Sequence, residues 1–437
     1  MNAVPDGWLE SPLQQLTSLI RDGTHGTHED VPEGVPLLSA KDIRDGRLDI
    51  PDDCRLISEP DYALLHKSYE LQQDDVLLTI VGSIGRCCLV PKDAPRFTFQ
   101  RSVAVVRASK VKPNYLYKYF QGWKFQRGLD DVTNASAQGG VYLGSLAKLT
   151  VIYPASPAEQ SKIAEVLSTV DRAIVQTEAL IAKQQRIKTG LMQDLLTRGI
   201  DEHGQLRSEA THAFKDSPLG RIPAEWEVKQ IDDLVSRVGS GVTPTGGETV
   251  YVAEGVLFMR SQNVHFDGLR LDDVAYIPMH IHHSMMRSEV FENDVLLNIT
   301  GASIGRCCRM PEIASRANVN QHVCTIRLRD TDEAHAGFLT AVLQSHVGQH
   351  QIMLMNAGGN REGLNYQQVR SFRVPWPSDS SEFARIHDRI ERMSAAVADH
   401  SEGLAKLCRL KTALMQDLLT GKVRVTPLLP PAGAASA

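Results

Sequence analysis

The sequence predicts an α+β protein: two globular mixed α/β domains in a pseudo-two-fold arrangement, separated by two long antiparallel coiled-coil helices. Three observations carry that prediction. A glycine-containing strand block occurs twice, a helix end occurs twice, and each helix end closes a proline-free stretch with apolar residues at heptad spacing.

The strand block Asp75-Val-Leu-Leu-Thr-Ile-Val-Gly-Ser-Ile-Gly-Arg-Cys-Cys88 returns as Asp294-Val-Leu-Leu-Asn-Ile-Thr-Gly-Ala-Ser-Ile-Gly-Arg-Cys-Cys308, with Ala302 inserted. The helix end Lys188-Thr-Gly-Leu-Met-Gln-Asp-Leu-Leu-Thr197 returns as Lys411-Thr-Ala-Leu-Met-Gln-Asp-Leu-Leu-Thr420. A weaker pair opens each half, Val4-Pro-Asp-Gly-Trp8 and Ile222-Pro-Ala-Glu-Trp226. The copies lie about 220 residues apart, far beyond the period of a solenoid, so whole domains are duplicated. Between the matching blocks the halves barely resemble each other.

In each half the block reads as strand, glycine turn, strand. Val76–Val81 is apolar and β-branched, and Gly82 and Gly85 give the turn its backbone freedom. Val103–Arg107 and Val256–Met259 read as further strands, and Tyr115–Arg127 and Ala334–Gln351 as helices. Turn clusters such as Asp22–His25 and Gly239–Gly241 separate them. Neither glycine turn has the spacing of a phosphate-binding loop, so a hairpin that fixes the core is the favoured reading.

Ile163, Val170, Thr177, Gln184 and Leu191 form one heptad set, with Leu167, Ile174, Ile181, Lys188 and Leu195 interleaved. Ile386, Met393, His400, Leu407 and Leu414 repeat it, with Ile390, Val397, Leu404, Lys411 and Leu418 between them. A helix with one long apolar stripe cannot bury it alone, and the two stripes are each other's most economical partners. His400 reads as a tolerated seam residue rather than a metal ligand. Pro154-Ala-Ser-Pro157 and Pro375-Trp-Pro377 mark the starts of the helices. The expected boundaries are a first domain over 1–153, a spacer helix over 154–200 and a linker over 201–221. A second domain over 222–377, a spacer helix over 378–425 and a disordered tail over 426–437 follow.

Hydrophobic residues make up 42% and charged residues 23%, as in ordinary globular proteins, and no apolar run is long enough to span a bilayer. With no signal peptide evident at Met1–Glu10, a cytoplasmic location is expected. The formal charge of −5 argues against a protein that coats DNA without regard to sequence; it is compatible with local basic patches on a site-specific reader. The seven cysteines include two adjacent pairs and no CxxC spacing, so buried reduced thiols are expected and no metal site.

A duplicated chain folded about antiparallel helices would present two domains much as a DNA-binding dimer presents two copies, each facing one half-site at fixed spacing. Because the halves differ, the half-sites would differ. The motifs also carry a resemblance. Over essentially its whole length the chain resembles the specificity subunits of type I restriction–modification systems. The repeated strand block, Asn318-Val-Asn-Gln-His322, the helix start Pro154–Gln160, the Leu-Met-Gln-Asp-Leu-Leu-Thr ends, Gly241-Val-Thr-Pro244, Arg260-Ser-Gln-Asn263 and Asp22-Gly-Thr-His25 carry it. The second helix start departs from the first, with Phe383 where Gln160 stands. The resemblance implies a target-recognition domain in each half and an asymmetric bipartite site in double-stranded DNA. It also implies two methyltransferase subunits as partners, which bring S-adenosylmethionine and methylate adenine. Motor-nuclease subunits would complete a restriction complex.

No methyltransferase motif, glycine loop for S-adenosylmethionine or P-loop is found, so the chain is expected to be non-catalytic, without a cofactor of its own and without a membrane partner. Glu227-Val-Lys229 lacks the upstream aspartate of a nuclease, and Met279-His-Ile-His-His283 reads as a polar loop. Base edges are read by Arg, Lys, Asn, Gln, Ser and Thr, and phosphates are met by cations, hydroxyls and free amides. The candidates in the first half are Thr24, His25, Lys41, Arg86, Gln100 and Arg101; in the second they are Thr243, Arg260, Gln262, Asn263, Arg306, Asn320, Gln321 and His322. Arg86 and Arg306 recur in both halves, which suits the frame or the phosphates. A self-contained restriction enzyme would need motifs the chain lacks. A DNA-binding coiled-coil scaffold would leave two divergent domains unexplained.

Overall fold

The computed structural model describes residues 4–44, 46–134, 139–313, 315–357 and 363–430. Contacts divide the chain into two units, Met1–Glu178 with Gly403–Ala437, and Ala179–Glu402. Each unit therefore combines a globular domain with the start of its own half's long helix and the end of the other's. No described helix is long and apolar enough to cross a membrane.

Both units contain an antiparallel four-stranded sheet of one topology. In the first, the strands run in the order Thr17–Asp22, Val103–Ala108, Val76–Thr79, Cys87–Leu89. In the second they run Val235–Ser240, Val323–Leu328, Val295–Asn298, Cys307–Arg309. The repeated block is the hairpin between the last two strands, with Val76 opposite Leu89 and Val295 opposite Arg309. The inner strand is buried on both faces. Val76 and Leu78 face one apolar cluster and Leu77 another, and Val295, Leu297 and Leu296 divide in the same way. A strand packed on both sides needs a continuous apolar run rather than alternation.

The adjacent cysteines follow the same pleat. Cys87 and Cys88 enter opposite clusters, as do Cys307 and Cys308, so neighbours in sequence point apart. Burial pushes the Cys87, Cys88 and Cys308 thiols up to about 12, which suits small apolar core residues. The aspartate that opens each block is structural. Asp75 accepts from Arg107 Nε (2.8 Å) and a terminal guanidinium nitrogen (2.7 Å), and Asp294 from Arg327 at 2.7 Å twice. Both carboxylates also cap the preceding turn, on Gln72 N–H and Phe291 N–H at 2.8 Å.

Two expected helices are each broken in two. Tyr115–Arg127 lies across Pro113–Gln121 and Trp123–Asn134, separated at Gly122. Ala334–Gln351 lies across Glu333–Gln344 and His346–Ala357, separated at Ser345, whose hydroxyl bonds Val342 O at 2.7 Å. The break turns each second helix so that a glutamine reaches the glycine turn. Gln126 Nε2 donates to Gly85 O (2.9 Å) and Gln349 Nε2 to Gly305 O (3.0 Å). Periodicity alone runs through such a break because apolar residues continue on both sides of it.

The long helices span Pro157–Arg198, 42 residues, and Ser380–Leu418, 39 residues. Their heptad positions are half-buried or buried between exposed neighbours. Within each unit the two segments run antiparallel. Glu159 meets Arg424 and Asp171 meets Lys411 in the first, while Glu382 meets Ile200 N–H in the second. Thr177 and His400 satisfy their polar atoms on the backbone of Ala173 and Ala396, one turn back.

The helix ends are locked by matching devices. In the second unit Glu382, fully buried at the helix start, accepts from Arg207, from Trp226 Nε1 (3.0 Å) and from Ile200 N–H (2.8 Å). Gly199, with φ of 67°, lies so close to Glu382, Arg207 and Trp226 that a side chain would displace them. In the first unit Glu159 accepts from Arg424 at 2.6 and 2.7 Å, and Gly421, with φ of 72°, lies against Trp8. Phe383 does not disturb this lock. Gln160 bonds Pro154 O and Lys112 N–H at 2.8 Å, whereas Phe383 stacks among His335, Phe338 and Trp376.

The polar stretch expected as a linker is an ordered part of the second unit. It holds buried Arg207 and a hairpin of Phe214–Ser217 with Gly220–Pro223. Of the expected tail, Thr426–Leu428 forms a short 3-10 turn, and 431–437 lie outside the described residues.

Glu382→Ala would leave the Arg207 guanidinium buried without its main partner, so a loss of about 3–5 kcal/mol is expected in urea unfolding followed by tryptophan fluorescence. A pH effect is expected from Asp171. Burial raises its pKa, but hydrogen bonds from Lys118 and Lys411 outweigh this and hold it below 3.8. Its contribution is complete above the unfolded value and is lost as pH falls through the folded one. The stability gap between wild type and Asp171→Asn should therefore be full at neutral pH and shrink below about pH 4.

Candidate nucleic-acid interface

In each unit three loops meet at one end of the four-stranded sheet. In the first, Thr24 N–H donates to Phe99 O (2.7 Å), Arg101 N–H to Thr24 O (2.9 Å) and Gln100 N–H to Leu38 O (2.8 Å). Ser102 adds the remaining ties, its hydroxyl accepting from Ala40 N–H (3.0 Å) and its carbonyl from Ile80 N–H (2.9 Å). In the second, Gly241 N–H donates to Asn320 O (3.1 Å), Asn320 N–H to Met259 O (3.0 Å) and Ile299 N–H to His322 O (3.0 Å). Asn298 Nδ2 joins the third loop by donating to Ser261 O at 2.8 Å.

The close approach depends on one glycine per unit. A Cβ on Gly23 would collide with the Phe99 carbonyl, and one on Gly241 with the Val319 carbonyl. The third loop is a 3-10 turn, Ala40–Asp42 or Ser261–Asn263, closed by a side chain on the backbone three residues earlier. Asp42 accepts from Ser39 N–H at 2.7 Å, and Asn263 from Arg260 N–H at 2.9 Å.

This junction gathers most of the candidates. Thr24, His25, Lys41, Gln100 and Arg101 lie on it in the first unit, and Thr243, Arg260, Gln262, Asn263, Asn320, Gln321 and His322 in the second. Arg86 and Arg306 sit on the adjoining glycine turn, each with no side-chain partner among the described residues. His25, Lys41, Arg101, Thr243, Gln262 and Gln321 are exposed. His25 pairs with Asp22 at 2.7 Å. Thr24 faces His28 at 2.8 Å.

Other candidates are turned inward. Asn263 is buried, and its amide donates to Arg270 O (2.8 Å) and Asp273 O (3.2 Å), so it holds the turn rather than projecting from it. Asn320 is buried and accepts from His322 N–H at 3.1 Å. His322 is fixed by Thr300 at 2.6 Å, and Arg260 is tied to Asp273 O at 3.2 Å. The histidine cluster is a short helix, Met279–Ser284, not a loop. His282 within it is fully buried against Asn318 Oδ1 at 2.7 Å, and Asn318 also donates to Met285 O and Ser288. Glu227 and Lys229 pair with each other at 3.2 Å on a strand.

Ser102, Ser240, Thr300 and Tyr366 were not legible as members of this surface. Tyr366 OH meets Ser240 Oγ at the same strand end, from a position 126 residues away. Only the fold brings them together; Ser102 had a faint signal as the counterpart of His322.

A paired frame of shared hairpins and locked helix ends, carrying divergent polar loops, is the architecture of a two-domain recognition protein. Residues 5–188 match the family model for the type I restriction modification DNA specificity domain. The chain is 23% identical to the putative type I restriction enzyme MjaX specificity subunit of Methanocaldococcus jannaschii, over 97% of this chain and 95% of that one. It is 24% identical to the MjaVIII specificity subunit of the same organism, over 92% and 88%. Its fold is similar to the type I restriction–modification S subunit from M. genitalium, with a TM-score of 0.60 and 12% identity, covering 96% of this chain and 97% of the other. Over nearly its whole length the chain is thus similar to specificity subunits of type I restriction–modification systems, and the matched specificity domain lies in its first half.

Gly241→Ala should force the first loop away from the Val319 carbonyl. A loss of about 1–3 kcal/mol is expected, read as a lowered thermal midpoint, whereas Gly301→Ala, with nothing near its Cβ, should show only the penalty of its left-handed backbone.

Proposed function

We propose that this chain is the non-catalytic DNA-reading subunit of a type I methyltransferase complex, each domain reading one half of an asymmetric bipartite site in double-stranded DNA. The observation that carries this reading is the pair of strand-end junctions. Their backbone frame is similar, while the exposed side chains on it differ. A shared frame suits a shared docking geometry, and unlike side chains suit unlike half-sites.

Two methyltransferase subunits are the proposed partners, one per unit. The repeated helix ends support this. Leu195, Leu196, Leu418 and Leu419 are buried, so packing accounts for their repetition. Asp194 and Asp417 pair with Arg198 (3.4 Å) and Lys422 (3.0 Å), whereas Gln193 and Gln416 are exposed and internal packing gives no reason for them to recur. Two copies of one partner would give that reason. The partners would bring S-adenosylmethionine and carry out adenine methylation, this chain holding no cofactor. Motor-nuclease subunits would join where the system also restricts.

Methylation profiling of cells with and without this chain tests the reading. Site-selective adenine methylation should disappear without it. Replacing residues 2–153 by the matching segment of a relative should change one half-site and leave the other intact. Unchanged methylation in either experiment would sink the assignment.

A further inference from the structure

The two junctions share a frame, so their side chains can be compared position by position. Lys41 is the middle residue of the first unit's 3-10 turn, and Gln262 is the middle residue of the second's. Arg101 is the middle residue of Gln100–Ser102, and Gln321 of Asn320–His322, loops bonded alike to the strand end. All four side chains are exposed. At both positions a cation in the first unit corresponds to a neutral amide in the second.

Their surroundings sharpen the contrast. Arg101 and Lys41 have no side-chain partner among the described residues, so every N–H they carry is free to donate, and neither can accept. The amides are held in place instead. Gln321 accepts from Thr243 and lies 3.1 Å from His322 Nε2, and Gln262 donates to Asp273 Oδ2 at 2.6 Å. Each amide keeps an oxygen lone pair and an N–H, which is a donor–acceptor pair of fixed orientation. In the major groove guanine offers two acceptors, O6 and N7, to a donor-only side chain. Adenine offers an acceptor and a donor, N7 and N6–H, to an amide.

We propose that the first domain selects guanine through Arg101 and Lys41, and the second selects adenine through Gln321 and Gln262. This rests on the junctions being the DNA-reading surface. The side chains at two corresponding positions then decide the base type, and the rest of each junction decides where the base is held.

The test is methylation profiling of the complex reconstituted from the full chain and its methyltransferase subunits, with domain-swap complexes as a control. Arg101→Ala and Lys41→Ala should each relax one guanine position of a single half-site, by roughly tenfold or more in discrimination, because each removes the donors that guanine O6 and N7 accept. Gln321→Ala should relax one adenine position of the other half-site. Thermal midpoints near wild type would show that the exposed substitutions leave the fold intact. If Arg101→Ala weakens methylation equally at all sequences while Arg101→Lys restores it, Arg101 meets a phosphate and the inference is overturned. It is equally overturned if the recognised sequence is unchanged in these variants while the domain swap still alters a half-site. If the swap alters nothing, the failure lies in the underlying function.

Discussion

The buried glutamate at the start of each long helix is the interaction on which the rest of the structure depends. Glu382 gathers Arg207, Trp226 and the backbone of Ile200, and Glu159 gathers Arg424. Each glutamate belongs to one half's helix start, and the groups it binds follow the end of the other half's helix. A carboxylate removed from water is tolerable only when such donors meet it. The lock therefore specifies which helix end belongs in which unit, and a left-handed glycine lets the chain turn tightly enough to reach it.

With the helix ends locked, the repeated hairpin can serve as a rigid base. Its inner strand is buried on both faces, its aspartate is clamped by an arginine from the neighbouring strand, and its glycine turn is tied by a glutamine from a broken helix. These parts are the same in both units because they carry no sequence information about a target. The loops at the strand ends rest on that base and are free to differ. Rigid support beneath variable side chains is the arrangement that orientation-dependent hydrogen bonding to bases requires.

Much of this was legible beforehand. The strand Val256–Met259, the hairpin and both long helices follow from apolar period and turn residues. The heptad phase predicts which helix residues are covered. The helix breaks at Gly122 and Ser345 were not legible, because apolar residues continue on both sides of them. Asn263 and Asn320 carry the side-chain chemistry of base readers, yet they are buried and hold turns. Composition cannot separate an amide that closes a 3-10 turn from one that projects beyond it.

The sequence by itself determined the duplication, the element types and the division into a repeated frame and divergent loops. Each of these depends on periodicity or self-similarity, which local chemistry writes directly into residue order. The tertiary structure decided which polar residues are structural and which remain exposed. Glu382 with Arg207, Asp294 with Arg327 and Gly241 against Val319 are contacts between distant parts of the chain. Nothing in residue order marks a glutamate as buried until the arginine, tryptophan and backbone amide that satisfy it have been folded around it.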